Sequence, residues 1–161
     1  MSRAFVKETE ESAPLPDRPI SPHRNLVTRR GLRLIEEEVA RYQGDLARAT
    51  AAADREAIGR AARELRYWTA RLATAEVTEP DGVERVVFGT AVTVLRDHGT
   101  EATFWIVGED EANPAAGRIA WTTPVAQALL GSEPGDVREL PTGAVEVLSV
   151  GVEPPLDAEE H

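Results

Sequence analysis

Asp54 and Glu56 are the acidic residues of a short alanine-rich segment, residues 50–56, that lies between two apolar repeats. Mg²⁺ in proteins is usually held by one or two carboxylates together with waters and phosphate oxygens, so two acids are enough to contribute to such a site. The alternative is that both charges only stabilise the positive end of a helix that begins here, with Arg55 offsetting the charge offered to a cation. The second interpretation is the preferred one, because residues two apart on a helix diverge.

A second acidic group, Glu109, Asp110 and Glu111, follows a predicted strand and could coordinate a cation, although a solvated surface loop is the default interpretation. The chain contains no cysteine, which excludes disulfides and thiolate chemistry. The three histidines lie in separate segments without a ligand partner at suitable spacing, so the sequence predicts no intrinsic metal site. They are His23, His98 and His161.

The segment that carries Asp54 and Glu56 joins two apolar ladders that both step 3, 4, 3, 4, 3, the spacing of a coiled-coil seam. The first ladder is Leu32, Ile35, Val39, Tyr42, Leu46 and Ala49; the second is Ile58, Ala61, Leu65, Trp68, Leu72 and Ala75. So short a connection predicts an antiparallel helical hairpin over residues 28–79, with its functional end at the tip. Thr28 and Asp54 are the predicted N-caps of helices over about 29–52 and about 54–78. Gly31 weakens the first helix, which suggests that close packing requires it.

Residues 80–150 change to a β-rich pattern that predicts a small domain with one short helix on an antiparallel sheet. Predicted strands cover residues 83–95, 102–107 and 118–121, and two more follow residue 136. Thr123 is the expected N-cap of the short helix, Pro124 its first residue, and Gly131 lies just past its end. The fold class is therefore α+β, with an extended or disordered arm over residues 1–27 and an acidic tail over residues 151–161.

The net charge of −10 is unevenly distributed along the chain. Residues 80–161 contain four arginines and fifteen acidic residues, and so carry the whole excess. Such a domain is unsuited to bare nucleic acid, which requires clustered Lys and Arg, and it favours a protein partner. No segment has the length of a membrane span or the apolar core of a signal peptide, so we expect a cytoplasmic protein without a membrane partner.

The stretch from Ile106 to Val137 resembles the C-terminal domain of the GreA/GreB transcript cleavage factors, whose pattern reads roughly I-V-G-x-D-E-A-D, I-S-x-x-S-P, A-L-[IL]-G and G-D. Residues 27–34 similarly echo the opening T-x-x-G-x-x-x-L of that family's hairpin, and residues 71–77 its close. The resemblance implies an FKBP-like C-terminal domain that docks beside the secondary channel of bacterial RNA polymerase. Docking in the family involves the S-P pair, here Thr123 and Pro124 after Thr122, in the domain that also carries Glu109, Asp110 and Glu111.

In the resembled family the hairpin enters the channel, and two tip acids help hold the second Mg²⁺ for cleavage of backtracked RNA. The family's tip sequence, G-D-L-x-E-N-A-E, is absent here, and the hairpin is shorter by about two heptads across both helices. We therefore expect a monomeric polymerase-binding factor with no catalysis and no cofactor of its own, which modulates transcription.

Two alternatives stay open at this stage. In the first, the chain is a true cleavage factor whose Asp54 and Glu56 contact polymerase-bound Mg²⁺ near the nascent RNA. In the second, it regulates another enzyme, as a related branch called nucleoside diphosphate kinase regulators does. An FKBP-like fold also suggests peptidyl-prolyl isomerase activity as a hypothesis. This activity is disfavoured, because it needs an aromatic-lined substrate pocket and the chain has few aromatic residues.

Overall fold

The computed structural model describes residues 15–152, which form an α+β structure with two long helices and a mixed β-sheet. In chain order the helices are α1 (Arg29–Ala51), α2 (Arg55–Thr74) and α3 (Pro124–Leu129). The strands are β1 (Leu26–Val27), β2 (Glu76–Val77), β3 (Thr90–Arg96), β4 (Glu101–Val107), β5 (Arg118–Ala120), β6 (Val137–Leu140) and β7 (Gly143–Val152). Residues 1–14 of the predicted arm, which include the apolar pair Phe5 and Val6, and most of the predicted acidic tail lie outside the described residues.

The two predicted long helices and the reversal between them are confirmed. Thr28 caps α1, because its Oγ1 accepts a hydrogen bond from the Gly31 N–H at 3.0 Å. All twelve ladder residues are buried or half-buried, and Ile35 is completely inaccessible. The ladders are therefore the packing faces of the helices, as the period predicts; the supercoiling of a coiled coil stays a prediction.

Helix α2 ends at Thr74, earlier than the sequence predicts, because the next residues pair with the chain before α1. Strands β1 and β2 form a two-stranded parallel sheet, with Leu26 opposite Glu76 and Val27 opposite Val77. The Glu76 N–H donates to the Asn25 carbonyl at 2.9 Å. This long-range pairing, which local periodicity does not reveal, replaces the last predicted turn of the helix.

The five-stranded sheet has the order β5-β4-β3-β7-β6. Strands β3 and β4 form the predicted hairpin, and β7 pairs with both β3 and β6 in antiparallel fashion. The prediction of a purely antiparallel sheet is wrong at one edge, since β5 runs parallel to β4, with Ile119 opposite Ile106. Residues 108–117 form two 3₁₀ turns and carry the chain back along the sheet before β5 begins, as a parallel connection requires.

The predicted first strand of this domain is also too long, since residues 83–89 are irregular and β3 begins at Thr90. Gly89 has a φ of 87°, and the Thr90 hydroxyl donates to the Val87 carbonyl at 2.7 Å, so the chain turns there. Val86 nevertheless belongs to the core, because it is fully buried and exchanges backbone hydrogen bonds with residues 131 and 132.

The core of the C-terminal sheet lies between its inner face and α3. Its buried residues are Val86, Val92, Val94, Ile106, Ile119, Ala126, Leu129, Leu140, Val145 and Val147. As predicted, one short helix covers this sheet, with Pro124 as its first residue. The FKBP-like character of the domain stays a prediction.

The chain divides into two compact units. One contains residues 15–21 and Glu36–Ala73; the other contains Pro22–Ile35 and residues 74–152. The base of α1 therefore belongs to the sheet-containing unit, although residues 28–79 read as one segment in the sequence. Within residues 15–152 no helix is long and apolar enough to cross a membrane.

Candidate functional site

The hairpin tip is a tight turn of three residues, Ala52 to Asp54, with a Schellman-type end to α1. The Asp54 N–H donates to the Ala49 carbonyl and the Ala53 N–H to the Thr50 carbonyl, both at 3.1 Å. Ala53 adopts a φ of 53°, the left-handed conformation that glycine usually fills at this position. The turn therefore contains no glycine, which is the residue that usually marks such a turn in a sequence.

The carboxylate of Asp54 caps α2, as predicted. Its Oδ1 accepts a hydrogen bond from the Ala57 N–H at 3.2 Å, while the Asp54 carbonyl accepts from Ile58 N–H at 2.9 Å. Glu56 lies one turn before Arg60 and forms an ion pair with it at 3.3 Å, with its own side chain 86% exposed. Each tip acid therefore has a local role in α2, which supports their interpretation as helix-stabilising charges.

The tip offers few ligands to a cation. Within residues 15–152 no group of three or more His, Cys, Asp or Glu side chains could hold a metal ion. Arg55, exposed between Asp54 and Glu56, adds a positive charge at the same point. A cation near the tip would need most of its ligands from another molecule, with Asp54 and Glu56 contributing two carboxylates at most.

The predicted docking residues Thr122, Thr123 and Pro124 lie at the head of α3. The Thr123 Oγ1 accepts from the Ala126 N–H at 3.4 Å and donates to the Ala120 carbonyl at 2.8 Å, so its hydroxyl is engaged inside the domain. Pro124 is exposed, and Thr122 is half-buried in the turn that precedes the helix. The accessible part of this group is therefore the proline ring and the threonine before the cap.

The acidic residues 109–111 form a 3₁₀ turn whose three members differ in accessibility. Glu109 and Asp110 are half-buried, whereas Glu111 is only 4% exposed. The Glu111 carboxylate accepts hydrogen bonds from the Thr28 N–H at 3.1 Å and from the Thr28 hydroxyl at 2.5 Å. Glu111 is thus bound to the start of α1, and only Glu109 and Asp110 present acidic surface to a partner.

The same contact explains Gly31. A Cβ added at Gly31 would overlap the Glu111 carboxylate, so a side chain at position 31 is incompatible with this arrangement. The sequence predicted a packing reason for Gly31 but not its partner, which lies 80 residues away along the chain. Proximity of that kind leaves no local signal.

An N-terminal strap, which we define as residues 15–21, has no local signal in the sequence. The strap lies on α2: Arg18 forms an ion pair with Glu64 at 2.6 Å, and its guanidinium stacks on the Tyr67 ring at 3.8 Å. The Arg66 Nε donates to the Asp17 carboxylate at 2.6 Å. The strap is thus irregular in backbone but held in place by charge-assisted contacts.

The family model for the transcription elongation factor GreA/GreB C-terminal domain matches residues 79–152 of this chain. The chain is 40% identical over 120 residues to transcription elongation factor GreA of Desulfovibrio desulfuricans, a match that covers 70% of this chain and 74% of that protein. It is also 40% identical over 95 residues to transcription elongation factor GreB of Neisseria meningitidis serogroup B, covering 55% of this chain and 58% of the relative.

Among solved structures, the prokaryotic transcription elongation factor GreA/GreB from Nitrosomonas europaea is 20% identical and covers 80% of this chain and 98% of its own, with a TM-score of 0.40. At that score the structural similarity gives no information about the candidate site. The family relationship is established by the sequence matches, and the match to the Desulfovibrio desulfuricans protein extends over most of both chains.

Proposed function

The chain belongs to the GreA/GreB family of transcription elongation factors, and on this premise we propose that it binds bacterial RNA polymerase at the secondary channel and modulates transcription without RNA cleavage activity of its own. The observation that supports the absence of cleavage is the engagement of the tip acids. Asp54 caps α2, and Glu56 pairs with Arg60 beside the positive charge of Arg55.

The C-terminal domain supplies the docking surface in this proposal. Exposed Pro124 and half-buried Thr122, at the head of α3, are one part of it, and Glu109 and Asp110 are the other. The excess of acidic residues in this part of the chain suits a basic surface on the polymerase. Glu111 is outside the docking surface because its carboxylate is bound to Thr28.

The hairpin is the part that enters the channel. Helix α1 has 23 residues and therefore rises roughly 34 Å at 1.5 Å per residue. Entry of such a hairpin blocks the channel whether or not its tip reaches the polymerase active site. The factor acts as a monomer, and any Mg²⁺ near its tip belongs to the polymerase.

One observation favours the alternative of a cleavage factor: Asp54 is exposed at the outermost turn of the hairpin, where it could contact polymerase-bound Mg²⁺ and nascent RNA. Asp54→Asn separates the two roles of this side chain, because asparagine is as good an N-cap as aspartate but carries no charge. Asp54→Ala removes both the cap and the charge.

The deciding experiment measures RNA cleavage in stalled, backtracked elongation complexes at saturating factor, together with binding to polymerase core. We expect binding by the natural chain, no stimulation of cleavage, and no difference between the natural chain and Asp54→Asn. Stimulation by the natural chain that is lost in Asp54→Asn and in Glu56→Gln would establish the cleavage factor instead. Failure to bind polymerase core would contradict both functions.

A further inference from the structure

Trp121 lies between the two parts of the docking surface that the proposed function assigns. Its backbone N–H donates to the Val107 carbonyl at 2.9 Å, and the acidic pair Glu109 and Asp110 follows directly after residue 108. On the other side, Pro124 comes three residues after Trp121, which is at most about 11 Å along an extended chain. Trp121 is therefore next to both the acidic pair and the exposed proline.

The turn that carries Trp121 is held firmly in the domain. The Trp121 carbonyl accepts a hydrogen bond from the Gln127 Nε2 at 2.6 Å, and the Thr123 N–H donates to the Ala120 carbonyl at 3.0 Å. The indole packs partly on the core of the sheet, and the exposed His23 ring forms a T-shaped pair with it, with 5.9 Å between the ring centroids. A side chain fixed in this way loses little conformational freedom when a partner binds.

The accessible surface of the Trp121 indole consists of carbon atoms. The residue is half-buried, yet its Nε1 is shielded from solvent and has no hydrogen-bond partner among residues 15–152. A partner therefore meets ring carbons and not the indole N–H. Ring carbons of this kind form two sorts of contact, apolar packing and the attraction of a cation to the π-electrons.

The charge near the indole favours a cation as the contacting group. An arginine side chain suits both neighbours, because its planar guanidinium stacks on aromatic rings and also forms paired hydrogen bonds with a carboxylate. A purely apolar partner would take the carboxylates of Glu109 and Asp110 out of water without adding a positive charge, which is unfavourable. The acidic excess of residues 80–161 attracts a basic partner to the same domain.

We propose that Trp121 is an aromatic platform within the docking surface and takes an arginine side chain of the polymerase. The guanidinium stacks on the indole and pairs with Glu109 or Asp110, while Pro124 borders the contact. This inference rests on the proposed polymerase binding and adds the chemistry of the partner, a basic segment and not an apolar one.

Binding to polymerase core separates stacking from packing at this position. Trp121→Leu keeps a bulky apolar side chain without π-electrons, and we expect it to bind about tenfold more weakly than the natural chain. Trp121→Phe keeps an aromatic ring and should lose only about threefold, because phenylalanine attracts cations less strongly than tryptophan. Trp105→Leu is the matched control and should bind normally, since half-buried Trp105 alternates with the core residue Ile106 and lies on the opposite sheet face.

Two outcomes of the binding experiment would overturn the proposal. The first is unchanged binding by Trp121→Leu. The second is an equal loss in Trp121→Leu and Trp121→Phe, which would show that packing alone acts at this position. Circular dichroism of each variant checks that the fold is retained.

Because Trp121 also packs on the core, a second experiment examines the natural indole without polymerase. Trp68→Phe with Trp105→Phe leaves Trp121 as the sole tryptophan of the chain. We expect the ratio of fluorescence quenching by Cs⁺ to quenching by I⁻ to be several-fold higher for Trp121 than for N-acetyltryptophanamide at the same ionic strength, because the acidic pair attracts cations. Addition of Glu109→Gln and Asp110→Asn should lower the ratio to that of the free compound.

The quenching ratio distinguishes failure of the platform from failure of the proposed function. A ratio for Trp121 equal to that of N-acetyltryptophanamide would overturn the platform whatever the polymerase result. Failure of the natural chain to bind polymerase core would contradict the proposed function and remove the polymerase as the partner, whereas a raised ratio in the same chain would still support a cation platform at Trp121.

Discussion

Gly31 and Gly59 show how differently one residue type acts at two helical positions. Both lie inside long helices, where glycine is less favourable than alanine by about 1 kcal/mol. Gly31 packs against the buried Glu111 carboxylate, whereas a Cβ at Gly59 would meet nothing within 4 Å. The first glycine is required by a tertiary contact, and the second is not required by any contact in the described structure.

We therefore predict that alanine at these two positions changes the stability of the fold in opposite directions. Gly31→Ala should destabilise the fold by about 2 kcal/mol or more, because the new Cβ displaces a carboxylate that is buried and hydrogen-bonded. Gly59→Ala should stabilise it by about 0.5–1 kcal/mol through helix propensity. Urea unfolding followed by circular dichroism measures both, and a stabilised Gly31→Ala variant would show that the Glu111 contact is not tight.

At the tip, Ala53 pays a conformational penalty for its positive φ. Ala53→Gly should raise stability by about 1 kcal/mol, because glycine adopts the left-handed region without a Cβ clash. Ala51→Gly, two residues earlier and still helical, is the matched control and should lower stability by about 0.5–1 kcal/mol. Thermal unfolding of the two variants checks the signs; equal shifts would mean that Ala53 is not in the left-handed conformation.

At the scale of elements, short pieces of chain fix the ends of the long helices. Strands β1 and β2 have two residues each, yet their pairing ends α2 at Thr74. Beside them the exposed Arg24 Nη2 lies 2.9 Å from Glu76 Oε1. The strap similarly packs on α2, where Arg18 pairs with Glu64 and Asp17 accepts a hydrogen bond from Arg66. Neither element has a local pattern strong enough to predict it, because each depends on residues about 50 positions away.

The stabilisation that the Arg24–Glu76 pair contributes depends on pH, and this dependence can be measured at the Glu76 carboxylate itself. The hydrogen bond from Arg24, reinforced by the charge attraction, holds the pKa of Glu76 below its ordinary value of 4.5. Since the folded pKa is the lower one, the stabilisation by this pair is present above the ordinary glutamate pKa and is lost as the pH falls through the folded value.

Carboxyl carbon NMR titration should thus place the Glu76 pKa below 4.5 in the natural chain. In Arg24→Ala we expect this pKa to return toward its ordinary value. A Glu76 pKa that does not respond to Arg24→Ala would show that the pair is not formed in solution. The exposed position of the pair implies only a small change in overall stability.

At the scale of the whole molecule, the proposed function assigns docking to an acidic sheet domain and channel entry to a hairpin that carries most of the arginines. The acidic excess predicts that polymerase binding weakens with salt, since exposed charges are screened beyond about 8 Å at physiological ionic strength. The accessible acids Glu109 and Asp110 should account for part of that dependence. Pro124 should contribute through apolar contact, which salt does not screen.

Binding to polymerase core should therefore weaken about tenfold in Glu109→Gln with Asp110→Asn, together with a shallower salt dependence. Pro124→Ala should weaken binding with the salt slope unchanged. Val137→Ala, at an exposed valine on β6, is the control and should bind normally. Thr123→Ser keeps the capping oxygen and should bind better than Thr123→Ala. Unaffected binding in both the acidic and the Pro124 variants would place the docking surface elsewhere.

The sequence by itself was enough to predict the two long helices, their caps at Thr28 and Asp54, the β3–β4 hairpin and the short capped helix at Pro124. Each of these depends on neighbours within a few residues, so period, capping chemistry and turn residues reveal them. The family likeness over residues 106–137 was equally readable, because it lies in consecutive residues.

Only the tertiary structure decided the features that join distant segments. They include the parallel β4–β5 pairing, the burial of Glu111 on Thr28 and the strap on α2. The physical reason is the same throughout: contacts between distant residues depend on how the packed elements bring them together, and the local sequence carries no record of that proximity.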